Sequence, residues 1–134
     1  MTQLLLVCHQ GVGHALNVAV CSIVEQAADD PVAKIHILED HRDPSDQFLQ
    51  CLRDEIGRLL ELDQLLILTD LPGSTPHNLA LQAAAQANVP VVSGLNLPML
   101  LRCINHSNLS ADELADKAVK GARLSIFRNN DDAA

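Results

Sequence analysis

Short runs of Leu, Val and Ile recur along the chain, and between them apolar residues fall at every third or fourth position. The first pattern marks strands buried on both faces and the second marks helices with one apolar stripe, so their alternation predicts βαβ units and a parallel sheet covered on both sides. A first strand is read from Gln3 to Cys8 and a first helix from about His14 to Ala28, with Leu16, Val20, Ile23, Val24 and Ala27 on its inner face and Asp29-Asp30-Pro31 as its stop. "VAKIHIL" is a second strand, and Ser45 is placed as the cap of a second helix through Leu62 that turns Phe48, Leu52, Ile56 and Leu59 or Leu60 inward. "QLLILT" is a third strand, continuous in its hydrophobicity as a central parallel strand requires.

Pro76 fits the first position of a third helix to about Ala87, "VPVVSG" is a fourth strand, and a fourth helix follows near Leu97 to His106. Ser110 and Glu113 have capping-box spacing at the start of a last helix, which Gly121 is expected to end before a short apolar edge segment, "RLSIF". The expected fold is α/β, three-layered and doubly wound, with a mainly parallel sheet in the flavodoxin-like order 2-1-3-4. In that order the ends of strands one and three meet at the switch point where ligands bind, and His9 lands near Asp70. Gly94 and Asn96 reach the same rim.

The chain of 134 residues is read as one domain over residues 1–128, with a disordered tail, 129–134. A net charge of −8 with nine Lys and Arg opposes a phosphate-backbone partner, and with two Phe, no Trp and no Tyr there is little for bases to stack on. Nucleic acid is therefore excluded as a partner. The four cysteines, Cys8, Cys21, Cys51 and Cys103, form no CxxC pair, and the N-terminus lacks a signal-peptide pattern, which points to free thiols in the cytoplasm. No apolar stretch approaches the roughly 20 residues that span a bilayer. Membrane association would come only through a partner complex.

Chemistry gathers in two stretches. "LLVCHQGVGHAL" puts Cys8 and His9 where the first strand gives way to glycines. In "DLPGSTPHN", Asp70 at a strand end is followed by Gly73, Ser74 and Thr75, small residues leading to a helix N-terminus whose free N–H groups and dipole favour an anion. The same loop has a simpler reading as a turn at Gly73 with Thr75 as a cap. The two are compatible. His9 alone is an ordinary strand-end histidine. Beside a carboxylate that accepts from its Nδ1–H, it presents Nε2 as a nucleophile.

Cys8 to His14 matches the spacing of the Cys-x5-Arg phosphate loop of low-molecular-weight tyrosine phosphatases, but His14 stands where that chemistry needs a bidentate Arg. Cys8 is accordingly read as a small buried residue. The six histidines show no metal-ligand spacing, and Gly11-Val12-Gly13 lacks the rest of either nucleotide fingerprint, so neither metal nor cofactor is expected. In "GLNLPMLL", Met99 is assigned to the core or a subunit contact, while Asn96 is either a rim residue or a local backbone partner.

Three separated motifs together resemble the mannose-family enzyme IIA domains of the bacterial phosphoenolpyruvate-dependent sugar phosphotransferase system. "LLLVCHQG" resembles the family's strand ending in His-Gly. "LLILTDLPGSTPHNLA" resembles its Val-Asp-Leu-Phe-Gly-Gly-Ser-Pro-Phe-Asn stretch, and "VVSGLNLPMLL" is similar to Gly-Val-Asn-Leu-Pro-Met-Leu; the likeness covers about Gln3 to Phe127. The resemblance implies a phosphotransferase in which His9 is phosphorylated on Nε2 by the histidine-containing phosphocarrier protein and passes the group to a histidine of an enzyme IIB domain. It further implies that Asp70 orients His9, that Thr75 helps hold the phosphoryl group beside the amides of Gly73 and Ser74, and that the protein is a cytoplasmic homodimer exchanging an antiparallel edge strand around Ala122 to Phe127. Gln10, Asn78 and Asn96 are rim candidates without an assigned role.

The chain departs from the family pattern at Gln10, Pro72, Ser74 and His77, all on the rim where partners would dock. Ser74, in place of a glycine, is expected to restrict a backbone torsion. The alternative reading is a phosphorylation-dependent regulatory binding module of an incomplete phosphotransferase system.

Overall fold

The computed structural model describes residues 1–24 and 35–129. Its elements are β1 (Thr2–His9), α1 (Val12–Val24), β2 (Ile35–Asp40), α2 (Ser45–Leu60), β3 (Gln64–Thr69), α3 (Thr75–Ala87), β4 (Val91–Ser93), α4 (Leu97–Asn105) and α5 (Ala111–Leu124). The sheet order is β2-β1-β3-β4 with every pairing parallel, as expected from the alternation of strands and helices. The stop at residues 29–31, Ala27, the first residues of the expected second strand (32–34) and all of the expected tail beyond residue 129 lie outside the described residues.

Alternation along the two central strands sorts their side chains into two cores. Leu4, Leu6 and Cys8 of β1 and Leu66 and Leu68 of β3 pack with Val20 of α1, Met99, Leu100 and Cys103 of α4, and Leu114, Ala118 and Ala122 of α5. Leu5 and Val7 of β1 and Leu65 and Ile67 of β3 pack on the other face against Phe48, Leu52, Ile56 and Leu59 of α2 and Ala80, Ala83 and Ala84 of α3. With both faces covered, β1 and β3 have no solvent side, which is why they read as unbroken hydrophobic runs.

Several local expectations are corrected. The inner stripe of α1 follows Gly13, Leu16, Val20 and Val24, four residues apart at its end, and leaves Ile23 49% exposed. On α2 the inward residue of its last turn is Leu59, with Leu60 facing out. Pro44, in an extended conformation, stands at the cap position of α2, and Ser45 is already helical. In α3 the cap position belongs to Ser74, Thr75 is the first helical residue and Pro76 the second. Pro76 still needs no hydrogen-bond partner there, because the first turn's N–H groups have none.

Gly121 does not end the last helix. It lies buried inside α5, where a Cβ would come within 2.9 Å of Arg102 Nε and 3.1 Å of Arg102 Cβ, so its small size allows α4 and α5 to approach closely. Arg123 and Leu124 of the expected edge strand are therefore helical, and no antiparallel strand occurs among the described residues. At the start of α5, Ser110 Oγ accepts from the Glu113 N–H and donates to Glu113 Oε1 at 2.9 Å, a variant of the expected capping box.

Candidate functional site

Parallel strands all end on one rim, and the β1–β3 register fixes which side chains meet there. Val7 pairs with Thr69, so β1 continues past β3 and carries His9 alongside the turn that Asp70 opens. Asp70 Oδ2 lies 2.9 Å from His9 Nδ1 and accepts the His9 backbone N–H at the same distance; Oδ1 accepts the Leu71 N–H at 2.9 Å. The carboxylate is thus tied to the ring, to the ring's own backbone and to the start of the next loop. Burial pushes the Asp70 carboxyl up, but the His9 backbone and ring together with the Leu71 N–H outweigh it and hold it below its ordinary value. With Nδ1 engaged, the accessible nitrogen of a 45% exposed side chain is Nε2.

The loop after Asp70 turns at Gly73, whose φ of +84° belongs to the left-handed region. Ser74 has φ −75° and ψ 166°, an extended conformation open to any residue, so the expected restriction does not arise. Its Oγ donates to Leu71 O at 2.7 Å, and Asn78 Nδ2 donates to Gly73 O at 3.3 Å; both brace the loop from within. Thr75 is exposed at the helix start. Gly73, Ser74 and Thr75 therefore meet at the N-terminal end of α3, where the helix dipole suits an anion, although the Ser74 N–H is already bonded to Leu71 O at 3.3 Å.

Gln10 lies exposed in the turn after His9. Asn96 caps α4, its Oδ1 accepting the Met99 N–H at 2.9 Å. Met99 is buried, as assigned. A groove of about 400 Å³ runs along the β4 edge between Val91, Ser93, Asn96, Ala122, Arg123 and Ile126, and neither His9 nor Asp70 lines it.

Sequence reasoning missed a second carboxylate beneath this rim. Glu39, near the end of β2, has a side chain only 3% exposed; Oε1 lies 2.9 Å from His14 Nδ1, and Oε2 accepts the His14 backbone N–H at 3.0 Å. Burial raises the Glu39 carboxyl, yet hydrogen bonds from the His14 and Gly11 amides and from the His14 ring bring it down to about 2. The first turn of α1 is in effect capped by an anion from another strand. A period-two reading of "IHILED" that followed Ile35 and Ile37 inward would have put Glu39 on the same buried face.

That capping decides the phosphatase alternative. The amides that a Cys-x5-Arg loop would direct at phosphate are here directed at Glu39. Cys8 itself is buried, and burial, then Asp70, then Glu39, push its thiol up to about 12, far from a thiolate nucleophile. All four cysteines are free thiols.

A doubly wound parallel fold with a carboxylate-held histidine at its β1–β3 switch point defines a protein class whose chemistry lies at the strand ends. The family follows from comparison with known proteins. Residues 3–119 match the EIIA-man family model, described as the fructose IIA component of the phosphotransferase (PTS) system, and the chain belongs to that family. It is thus a sugar phosphotransferase system component of the enzyme IIA type, in a family of phosphotransferases.

Solved structures agree in fold. A phosphotransferase system component EIIA from Streptococcus agalactiae superposes with a TM-score of 0.77 at 22% identity, covering 97% of this chain and 98% of that one. The IIA protein associated with the fucose utilization operon of Streptococcus pneumoniae gives 0.80 at 20% identity, with 96% and 93% covered. The mannose/sorbose specific IIA subunit from Enterococcus faecalis gives 0.68 at 26% identity, with 95% and 93% covered. Comparison with curated protein sequences gave no match. No helix among the described residues is long and apolar enough to cross a membrane.

Proposed function

We propose that this protein is a phosphoryl carrier that takes the group on His9 Nε2 from the histidine-containing phosphocarrier protein and passes it to a histidine of an enzyme IIB domain. The observation that carries the reading is the 2.9 Å contact between His9 Nδ1 and Asp70 Oδ2. A carboxylate on Nδ1 fixes the tautomer, leaves the Nε2 lone pair aimed outward, and stabilises the positive charge the ring acquires when phosphorylated. As the donor's N–P bond breaks, the His9 Nε2–P bond forms, and the Nδ1 proton stays between ring and carboxylate. Gly73, Ser74 and Thr75 form the wall that receives the phosphoryl oxygens, with the Ser74 N–H already bonded to Leu71 O and the amides on either side of it available. Because the donor group arrives already activated, alignment and electrostatics supply the catalysis.

The reading places the protein in the cytoplasm, where such partners work, and as a homodimer. Support for the dimer comes from the β4 edge: Leu124, Ile126 and Phe127 are exposed apolar residues beside the groove lined by Val91, Ser93 and Ile126. An open strand edge and nearby apolar side chains invite a second copy. Light scattering on the full chain and on a chain ending at residue 124 would test it, the first expected to be dimeric and the second monomeric.

The carrier claim is tested by intact-mass analysis after incubation with phosphoenolpyruvate, enzyme I and the phosphocarrier protein. A single acid-labile phosphoryl adduct on wild type, absent from His9→Ala, supports it. Loss of that adduct on adding an enzyme IIB protein completes the transfer. An adduct that no IIB protein removes would instead favour a regulatory module.

A further inference from the structure

We propose that His77 is a second imidazole of the phosphoryl site, donating a hydrogen bond from Nε2–H to a phosphoryl oxygen as the group moves onto and off His9. This rests on the carrier reading above. Thr69, fully buried, is the last residue of β3 and immediately precedes Asp70, and its Oγ1 lies 2.7 Å from His77 Nδ1. Two neighbouring residues at one strand end therefore hold two imidazoles, Asp70 that of His9 and Thr69 that of His77.

The rings also share a face. Val7 faces α2 and α3, and side chains two residues apart on a strand point the same way, so His9 and Thr69 both look toward α3. With strands about 4.8 Å apart and a rise of about 3.3 Å per residue, their Cα atoms lie roughly 8 Å apart. His77 is the third residue of α3, and helix side chains lean toward the N-terminus, which here is the end formed by Gly73, Ser74 and Thr75.

With Nδ1 taken up by the buried Thr69 hydroxyl, Nε2 is the nitrogen offered, and a hydroxyl that donates makes it a donor. With the hydroxyl donating to Nδ1, the neutral ring carries its hydrogen on Nε2; in the imidazolium both nitrogens carry one. In both of these states Nε2–H is a donor, on a half-buried side chain. A phosphoryl group on His9 Nε2 carries close to two negative charges, and a fixed donor beside the loop amides stabilises that charge as it arrives and leaves. His77 gives up no proton, and the N–P bond broken on the donor is replaced by the one formed on His9.

The test compares His77→Phe, which keeps a ring without the donor, with His77→Gln, whose side-chain amide reaches the position of Nε2. Phosphorylation of His9 is timed by intact mass with two donors, the phosphocarrier protein and the small N–P compound phosphoramidate. The expected result is a roughly tenfold slower reaction with both donors in His77→Phe, most of it recovered in His77→Gln, measured well below a melting transition that His77→Phe lowers by leaving the buried Thr69 hydroxyl without its partner. Equal rates for wild type and His77→Phe overturn the inference and leave the carrier reading standing. Slowing with the protein donor alone also overturns it, since that marks His77 as a docking residue. A wild type that accepts no phosphoryl group from either donor overturns both.

Discussion

Glu39 and His14 meet at 2.9 Å across the first turn of α1, a contact between residues 25 positions apart that gives this helix a buried anion at its N-terminus. It engages the His14 amide in the first turn of α1 and braces the turn that follows His9.

The pH consequence of that contact has a definite sign. The Glu39 carboxyl is lowered from 4.5 to about 2, so its stabilisation is fully present above about 4.5 and is lost as pH falls toward 2. The full shift corresponds to about 3 kcal/mol at about 1.4 kcal/mol per pH unit. Glu39→Gln should lower stability at neutral pH by an amount of this order and flatten the decline between pH 4.5 and 2. Urea denaturation across that range checks both statements.

Asp70→Asn keeps the size of the side chain but places an amide where His9 Nδ1–H needs an acceptor. If Asp70 orients the ring, phosphorylation of His9 should slow by about a hundredfold or more, and melting should also fall because the His9 N–H loses its acceptor, so rates are compared well below the transition. Initial rates by intact mass, with melting followed by circular dichroism, give the answer.

Gly13 is a packing glycine. A Cβ there would sit 2.8 Å from Ile37 Cγ2. Gly13→Ala is expected to cost about 1–3 kcal/mol through overpacking, and adding Ile37→Ala should recover part of that loss by removing the opposing methyl. Denaturant titration of the two single variants and the double variant measures the coupling.

Asn96→Ala removes the α4 cap and should lower stability by about 1 kcal/mol while leaving the rate of His9 phosphorylation near wild type. A variant with normal melting but slow transfer would return Asn96 to the reactive rim.

The cysteines separate by burial. Cys51 is exposed, whereas Cys8 is buried with its thiol pushed up to about 12. Brief iodoacetamide treatment of the native protein should modify Cys51 and spare Cys8, as peptide mapping would show; Cys8→Ser should keep any phosphorylation that His9 supports.

The strands and helices were legible because burial on both sheet faces writes continuous apolar runs into β1 and β3, and burial on one helix face writes a stripe into α2. The approach of His9 to Asp70 followed from the same runs, since parallel strands in the order 2-1-3-4 bring those two ends together. Element limits were harder to read. Ser45, Thr75 and Gly121 belong to types that cap or stop helices, and each took another place because Pro44, Ser74 and the close approach of Arg102 decided locally.

What the chain determined by itself is the order of elements, the two-sided core and the pairing of a histidine with a carboxylate at adjacent strand ends, all set by patterns of period two and three to four. Tertiary structure alone decided that Glu39 would cap α1, that Thr69 would hold His77, and that Gly121 would lie inside a helix. Each of these depends on a contact between different elements, or on a side chain reaching across a loop, and no local periodicity records such a contact.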